Sequence, residues 1–255
     1  MRATPHCKIN IGLHVLGKRE DGYHDIETVF LPVHAINDRL TITESDEPLM
    51  EVTGIELDSA PEDNLCMRAW RMLHDEFGVP PVHIHLDKRI PFGAGLGGGS
   101  SDAAFTLKLL SQRYLGLTYP MLQERAVRLG ADCPFFLHNR VAYATGIGDK
   151  LTRCKGVNLN GYRIIIEMPK GEHVSTKEAY AGLDTSLFGT PRPNLCDVVK
   201  KPVEKWRNLI VNDFEASVFP SHPAIAALKD DMYRRGAVYA SMTGSGAAVF
   251  GIFRK

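Results

Sequence analysis

The stretch Pro91-Phe92-Gly93-Ala94-Gly95-Leu96-Gly97-Gly98-Gly99-Ser100-Ser101 constrains this chain more than any other. Five glycines in seven positions, closed by two hydroxyls, pack poorly on their own, and a residue without a Cβ costs conformational entropy to order. Such a run suits close approach of the backbone to something else. Behind it the apolar residues take helical spacing, Phe105 with Leu109 and Ala103 with Leu107 and Leu110. A glycine loop that opens a helix presents unpaired N–H groups at the positive end of the helix dipole, a site for an anion and most often for phosphate. A flexible Gly/Ser linker is the bland alternative, but a linker seldom has a leucine at its centre or a periodic helix directly behind it.

Two familiar phosphate loops fail. The Walker loop needs a lysine to reach the terminal phosphates, and none occurs between Lys88 and Lys108. The dinucleotide fingerprint Gly-x-Gly-x-x-Gly does match at Gly93, Gly95 and Gly98, but it expects an acidic residue about 20 positions on to hold a ribose. From Ala103 to Gln123 there is no Asp or Glu. The run before the loop, Val82-His83-Ile84-His85-Leu86, also alternates apolar with polar, whereas a central parallel strand reads as continuously apolar. A nicotinamide oxidoreductase is the rival that rests on this weak match.

Bulk properties narrow the class. In 255 residues, 30 basic and 30 acidic side chains cancel, with no long single-sign run, which argues against nucleic acid or a membrane surface as partner. The cysteines Cys7, Cys66, Cys133, Cys154 and Cys196 form no Cys-x-x-Cys pair and read as reduced, scattered thiols. No stretch reaches the roughly 20 apolar residues of a membrane span, and Lys8 and Asn10 interrupt any signal-peptide core. A cytoplasmic enzyme is expected. Strands are predicted over Ile9–Val15, Leu40–Thr43, Val82–Leu86, Ala142–Thr145, Ile164–Met168 and Ala248–Phe253. Helices are predicted over Leu65–Phe77, Ser101–Tyr114, Met121–Leu129, Thr176–Leu183 and Ala224–Arg235, with Asn64 and Ser175 as N-caps and Pro120 in a first turn. The irregular interleaving favours an α+β fold, with a seam near Gly156 to Gly161.

Several side chains have chemical promise. Asp132, in Gly130-Ala131-Asp132-Cys133-Pro134, sits among small and apolar residues where a carboxylate is partly desolvated; from composition alone it is equally a turn carboxylate before Pro134. Lys8 also has apolar neighbours, Cys7, Ile9 and Ile11, though an edge-strand lysine guarding against aggregation reads the same way. Asn10, two residues on, falls on the same strand face as Lys8. Tyr23 and His24 follow the turn dipeptide Asp21-Gly22, and together they offer the aromatic face and directed hydrogen bond that a pyrimidine needs. Tyr180 fits equally well as a packing residue of an amphipathic helix. His83 and His85 share a strand face but read as its solvated side, not as metal ligands, and Cys133 as a buried thiol.

The loop, with Lys8-Ile9-Asn10, Asp21-Gly22-Tyr23-His24 followed by Glu27-Thr28, Gly130 to Phe136, Asn212-Asp213-Phe214-Glu215 and Met242-Thr243-Gly244-Ser245-Gly246, resembles the GHMP kinases, the superfamily of galactokinase, homoserine kinase and mevalonate kinase. The Asp-Gly-Tyr-His block narrows the resemblance to the branch whose acceptor is 4-diphosphocytidyl-2-C-methyl-D-erythritol, in the non-mevalonate isoprenoid pathway. That resemblance implies two lobes, residues 1–156 and 157–255, with an active cleft between them. It implies ATP on Pro91 to Ser101, with magnesium whose ligands are unassigned beyond a weak expectation for Ser100 and Ser101. Asp132 would deprotonate the acceptor hydroxyl beside Lys8. Asn10 would contact the acceptor, Tyr23 and Tyr180 would sandwich a cytosine, and His24 would read its edge. Thr176 is expected on the same ligand, and Thr243, Gly244 and Ser245 form a second glycine turn facing the cleft. Homoserine or mevalonate-type acceptors are the alternatives within the superfamily. A non-catalytic nucleotide binder would need neither Lys8 nor Asp132.

Three departures from the family pattern stand out. His6-Cys7 replaces small residues before the lysine and is expected to alter the nearby surface. Asp102 stands where Asn is frequent, and so close to nucleotide phosphates it is expected to repel them unless magnesium intervenes. The chain also stops at Lys255, soon after its last strand, where relatives usually continue.

Overall fold

The computed structural model describes residues 1–56 and 60–255. In chain order its elements are β1 (Arg2–Ala3), β2 (His6–Lys18), β3 (His24–Asn37), β4 (Arg39–Glu44), β5 (Leu49–Gly54), α1 (Leu65–Phe77), β6 (Val82–Lys88), α2 (Gly98–Leu110), α3 (Tyr119–Leu129), α4 (Cys133–His138), β7 (Ala142–Thr145), β8 (Lys150–Arg153), β9 (Tyr162–Glu167), α5 (Thr176–Ala181), α6 (Leu195–Val198), α7 (Phe214–Val218), α8 (Pro223–Arg234), β10 (Tyr239–Met242) and β11 (Val249–Arg254). This is the α+β mixture expected. Two units interleave along the sequence: one takes residues 1–8, 32–92 and 97–139, the other 9–31, 93–96 and 140–255. The glycine loop is therefore shared, its residues 93–96 grouping with the second unit and 97 onward with the first.

In the first unit the sheet order is β1-β4-β6-β5, with β4 antiparallel and β5 parallel to β6, so that Ile42 and Met50 flank Ile84. Strict alternation shapes β6: Val82, Ile84 and Leu86 are buried while His83, His85 and Asp87 stay half-buried. The buried face meets Cys66, Trp70 and Leu73 of α1 and Ala103, Leu107 and Leu110 of α2 in one apolar core. Asn64 caps α1 by accepting a hydrogen bond from the Cys66 N–H, and Gly78 ends it in a left-handed conformation. Helix α2 begins at Gly98, ahead of the predicted Ser101, because Gly98 and Gly99 already turn helically. Past Leu110 the helix widens into a π-turn over Ser111–Leu115.

The second unit holds two sheets, ordered β2-β3-β7-β8 and β10-β11-β9. Thr28 faces Ala144 across β3 and β7, and Ile252 faces Ile164 across β11 and β9. Its core gathers Leu13, Val15, Ile26, Phe214, Ile225, Met232, Met242 and Val249. Strand β2 is buried on both faces from His6 to Val15, which is why Lys8, Asn10 and His14 lie inside the protein despite their polarity.

Two expectations are corrected. His6 and Cys7 alter the interior and not the surface: both are buried, and the His6 ring packs edge-on against His34 and Phe105. The cysteines are also not all scattered, since Cys154 Sγ lies 2.6 Å from Cys196 Sγ. Among the described residues, no helix is long and apolar enough to cross a membrane.

Candidate active site

Gly97 stands at the N-cap of α2 with a left-handed φ of 70° and no side-chain cap. The first-turn N–H groups of this helix are therefore left without a capping side chain, the condition for holding an anion. Beside them lies Lys8, whose buried ammonium is 3.5 Å from Asp132 Oδ2. A Cβ on Gly97 would come within 3.2 Å of Lys8 Cε, so loop, lysine and carboxylate form one cluster in the first unit. Asp132 is the residue ahead of α4, with Pro134 in the first turn, and its side chain makes no capping hydrogen bond. It keeps 32% side-chain exposure, so the carboxylate is accessible as well as paired.

The two serines diverge. Ser100 is half-buried, and burial pushes the nearby Cys133 thiol up to about 12, leaving it a poor nucleophile. Ser101 Oγ is wholly buried and has no hydrogen-bond partner.

Beneath the loop is a feature the sequence does not announce. Lys88, at the end of β6, donates to Asp38 and, at 3.0 Å, to Asp102 Oδ2, and all three residues are buried. Asp38 accepts from the N–H groups of Arg89 and Ile90 as well. A Cβ on Gly98 would sit 2.8 Å from Lys88 Nζ and 2.9 Å from Ile90 Cγ2, so a side chain at 98 would collide with this cluster. Burial, opposed by Lys88 and reinforced by the neighbouring Asp38, pushes the Asp102 carboxyl up to about 8. Burial alone would lower Lys88, but Asp102 and Asp38 carry it above the usual lysine range. The expected repulsion by Asp102 is thus met by a lysine from the protein itself.

In the second unit the two glycine turns touch. A Cβ on Gly95, whose φ is 69°, would lie 2.0 Å from the carbonyl oxygen of Thr243, a contact only glycine permits. Thr243 Oγ1 donates to Gly95 O and Asn10 Oδ1, both at 3.2 Å, and Asn10 donates to Thr28 Oγ1 at 3.0 Å. Asn10 is accordingly a buried link in this network. Asn212 supports the turn from below, donating to the carbonyls of Met242 and Gly244 at 2.8 Å each. Asp213 accepts from Val15 N and Arg192, and Glu215 from Ser241 and Met242 N, so the Asn-Asp-Phe-Glu block is structural support. Ser245 Oγ meets Thr176 Oγ1 at 3.4 Å.

His24 stacks on Tyr180 with ring centroids 4.5 Å apart, and Tyr180 in turn meets Phe214 edge-on. Tyr23 is 61% exposed. Burial, with Lys18 nearby, holds the His24 imidazole below the usual histidine range, so the ring keeps one donor and one acceptor at neutral pH. Phe92 is exposed at the head of the loop. His83 approaches Glu51 and His85 bonds Thr53; among the described residues, no group of three or more His, Cys, Asp or Glu side chains could hold a metal ion.

The GHMP kinases N terminal domain model matches residues 64–140 and the GHMP kinases C terminal model residues 197–255. The chain is 45% identical over 256 residues to the 4-diphosphocytidyl-2-C-methyl-D-erythritol kinase of Azobacteroides pseudotrichonymphae, covering 100% of this chain and 94% of the relative. The chain belongs to the GHMP kinases. Within them it groups with the 4-diphosphocytidyl-2-C-methyl-D-erythritol kinases: that of Bacteroides thetaiotaomicron is 46% identical, with 99% of this chain and 92% of the relative covered. A crystal structure of 4-(cytidine 5'-diphospho)-2C-methyl-D-erythritol kinase aligns with a TM-score of 0.78 at 32% identity, covering 98% of this chain and 89% of that one. The mevalonate kinase of Methanococcus jannaschii shares the GHMP fold, with a TM-score of 0.69 at 16% identity over 100% of this chain and 90% of its own. The oxidoreductase reading of Gly93, Gly95 and Gly98 falls with this membership. What the sequence missed in this kinase is the Lys88–Asp38–Asp102 cluster, and its one signal was the departure at Asp102.

Proposed function

We propose that this GHMP kinase transfers the γ-phosphoryl group of ATP to the 2-hydroxyl of 4-diphosphocytidyl-2-C-methyl-D-erythritol, in the non-mevalonate route to isoprenoid precursors. The observation that carries the reading is the Lys8–Asp132 pair, 3.5 Å apart beside Gly97. Phosphoryl transfer needs the nucleotide phosphates held, the acceptor hydroxyl in line and the charge neutralised. In this reading the main-chain N–H groups from Gly95 to Ser101, with Pro91 to Ala94 leading in, hold the polyphosphate at the positive end of α2. Asp132 accepts the proton of the acceptor hydroxyl as its oxygen forms the new bond to the γ-phosphorus. The bond to the bridging oxygen breaks, and ADP leaves with that electron pair. Lys8 offsets the charge that builds up on the oxygens.

The cytidine end is assigned to the second unit. Tyr23 and Tyr180 supply faces for the base, and the neutral His24 a donor and an acceptor for its edge, the base taking over the face of Tyr180 that His24 now covers. Thr176, Thr243, Gly244 and Ser245 contact the same substrate, with Asn10 holding their turn. In the proposed lobes, residues 1–156 carry the reacting end together with Tyr23 and His24, and residues 157–255 the rest of the recognition. Magnesium ligation falls mainly to the nucleotide phosphates, with the half-buried Ser100 hydroxyl the protein oxygen that fits, since Ser101 Oγ is enclosed and Asp102 is committed to Lys88. Bound there, the ion would neutralise phosphate charge. Cytoplasmic action and the absence of nucleic-acid or membrane partners belong to the same proposal.

A coupled assay of ADP release with the cytidyl acceptor, homoserine and mevalonate tests it. Turnover is expected with the first alone; equal turnover with homoserine would refute the acceptor. Asp132→Asn is expected to abolish turnover while ATP binds within a few-fold of the parent, and a fully active variant would remove Asp132 as the base.

A further inference from the structure

Two thiols that the phosphoryl transfer does not use meet in the second unit. Cys154 directly follows β8, Cys196 is the second residue of α6, and their Sγ atoms are in contact although 42 positions separate them along the chain. Access to the two differs: Cys154 is buried, while Cys196 is half-buried and is the one a reagent in solution reaches first. Burial, with the Cys196 thiol beside it, pushes the Cys154 thiol up to about 12, and the nearby Lys200 ammonium acts against that rise. Asp197 holds that ammonium at 2.7 Å, and a cation beside a thiol pair favours the thiolate that exchange requires. Both thiols also sit on fixed backbone. Asn194, directly ahead of α6, donates to the Tyr143 hydroxyl at 2.9 Å, and Tyr143 donates to Glu27, whose other oxygen meets His14 at 2.8 Å. Leu195 fills the space over Gly12, where a Cβ would strike its Cδ2 at 2.8 Å. Cys154 N donates to Val141 O, prolonging the pairing of β8 with β7. Thiols held together in this way have a high effective concentration for each other. Cys7, Cys66 and Cys133, by contrast, are wholly buried.

We propose that Cys154 and Cys196 form a redox modification site, a dithiol that a low-molecular-weight disulfide converts reversibly to an intramolecular bond fastening α6 to the end of β8. The Cys196 thiolate attacks one sulfur of the reagent, whose S–S bond breaks and releases one small thiolate. The Cys154 sulfur, having given up its proton, attacks Cys196 Sγ, and the second small thiolate leaves. The protein loses two electrons and two protons, and the reagent becomes two small thiols. The new bond closes a loop of chain that carries β9 and α5, so it removes freedom chiefly from the unfolded state. Cys196 is the entry thiol and Cys154 the resolving one.

The test is incubation of the reduced full-length protein with oxidised glutathione under native conditions, followed by thiol titration in denaturant, peptide mapping and thermal unfolding. The thiol count should fall by two, from five to three, and the map should join the peptides of Cys154 and Cys196. The Tm should rise by roughly 5–15 °C, and dithiothreitol should reverse all three changes. Cys154→Ser should stop with one glutathione held on Cys196, whereas Cys196→Ser should keep all of its remaining thiols. A parent that retains four or five thiols overturns the proposal, as does a map that joins any other cysteines or an oxidised protein whose Tm does not rise. These readings come from the parent, so a serine variant that fails to fold does not shelter the proposal.

Discussion

Gly99→Ala separates what the loop needs for itself from what it needs for a ligand. Gly95 and Gly98 are accounted for by the protein, since a Cβ would strike Thr243 O at 2.0 Å and Lys88 Nζ at 2.8 Å. Gly99 is not: it turns helically in α2, its φ is ordinary, and a Cβ would meet only Leu65 Cδ1 at 3.7 Å, a normal contact. Alanine should therefore stabilise the unliganded protein by up to about 0.5–1 kcal/mol, the usual helix advantage over glycine. For a domain of this size that is a rise of roughly 1–4 °C in Tm. If the amide at 99 meets a phosphate at close quarters, the added methyl stands in the way. Losing one charge-assisted hydrogen bond costs about 1.5–3 kcal/mol, or roughly a ten- to hundredfold weaker grip on ATP. Thermal unfolding and calorimetric ATP binding read the two effects separately. Gly116→Ala is the control: its φ of 65° imposes left-handed strain and nothing lies within 4 Å, so Tm should fall while ATP binding holds. Unchanged ATP affinity in Gly99→Ala would refute the assignment of phosphate to this amide, and a lower Tm would refute the backbone reading.

Asn212→Ala strips the hydrogen bonds to Met242 O and Gly244 O and the acceptor for Phe214 N; a loss of roughly 2–4 kcal/mol in denaturant unfolding is expected, and less than 1 would show the turn holds itself. Tyr180→Ala removes a base-stacking face worth about 1–3 kcal/mol, so KM for the cytidyl acceptor should rise about tenfold or more while KM for ATP stays put; a parallel rise in both would point to a folding defect. His222 is raised by its hydrogen bond to Glu172, with Glu178 assisting against burial. Its contribution is therefore complete below its ordinary pKa near 6.5 and is lost as pH rises through the raised value. Stability should fall across that window in the parent and not in His222→Asn, and identical profiles would exclude the clamp.

Parts of this site were readable because they are backbone requirements written as residue types. A glycine run behind a strand and ahead of a helix of periodic apolar residues states where main-chain amides must be bare, and Asn64 and Gly78 mark the ends of α1 as plainly as any contact does. Strand β3 was missed because Pro32 breaks the pattern of a strand and its start, His24, reads as the end of a turn. The Lys8–Asp132 contact was expected only through resemblance: nothing local to either residue says that β2 and the N-terminus of α4 meet. Asp102 is the instructive failure. Read along the chain, it is a carboxylate set against phosphate. In space, Lys88 reaches it from the end of β6 and Asp38 from the corner before β4. Whether a charge is a clash or half of a pair depends on partners 14 and 64 residues away, information that periodicity does not carry. The same cluster explains why the glycine at 98 cannot be read as a ligand requirement at all, whereas the one at 99 can. Sorting loop glycines by what their missing Cβ would strike thus converts a motif into separate physical claims, each open to its own substitution.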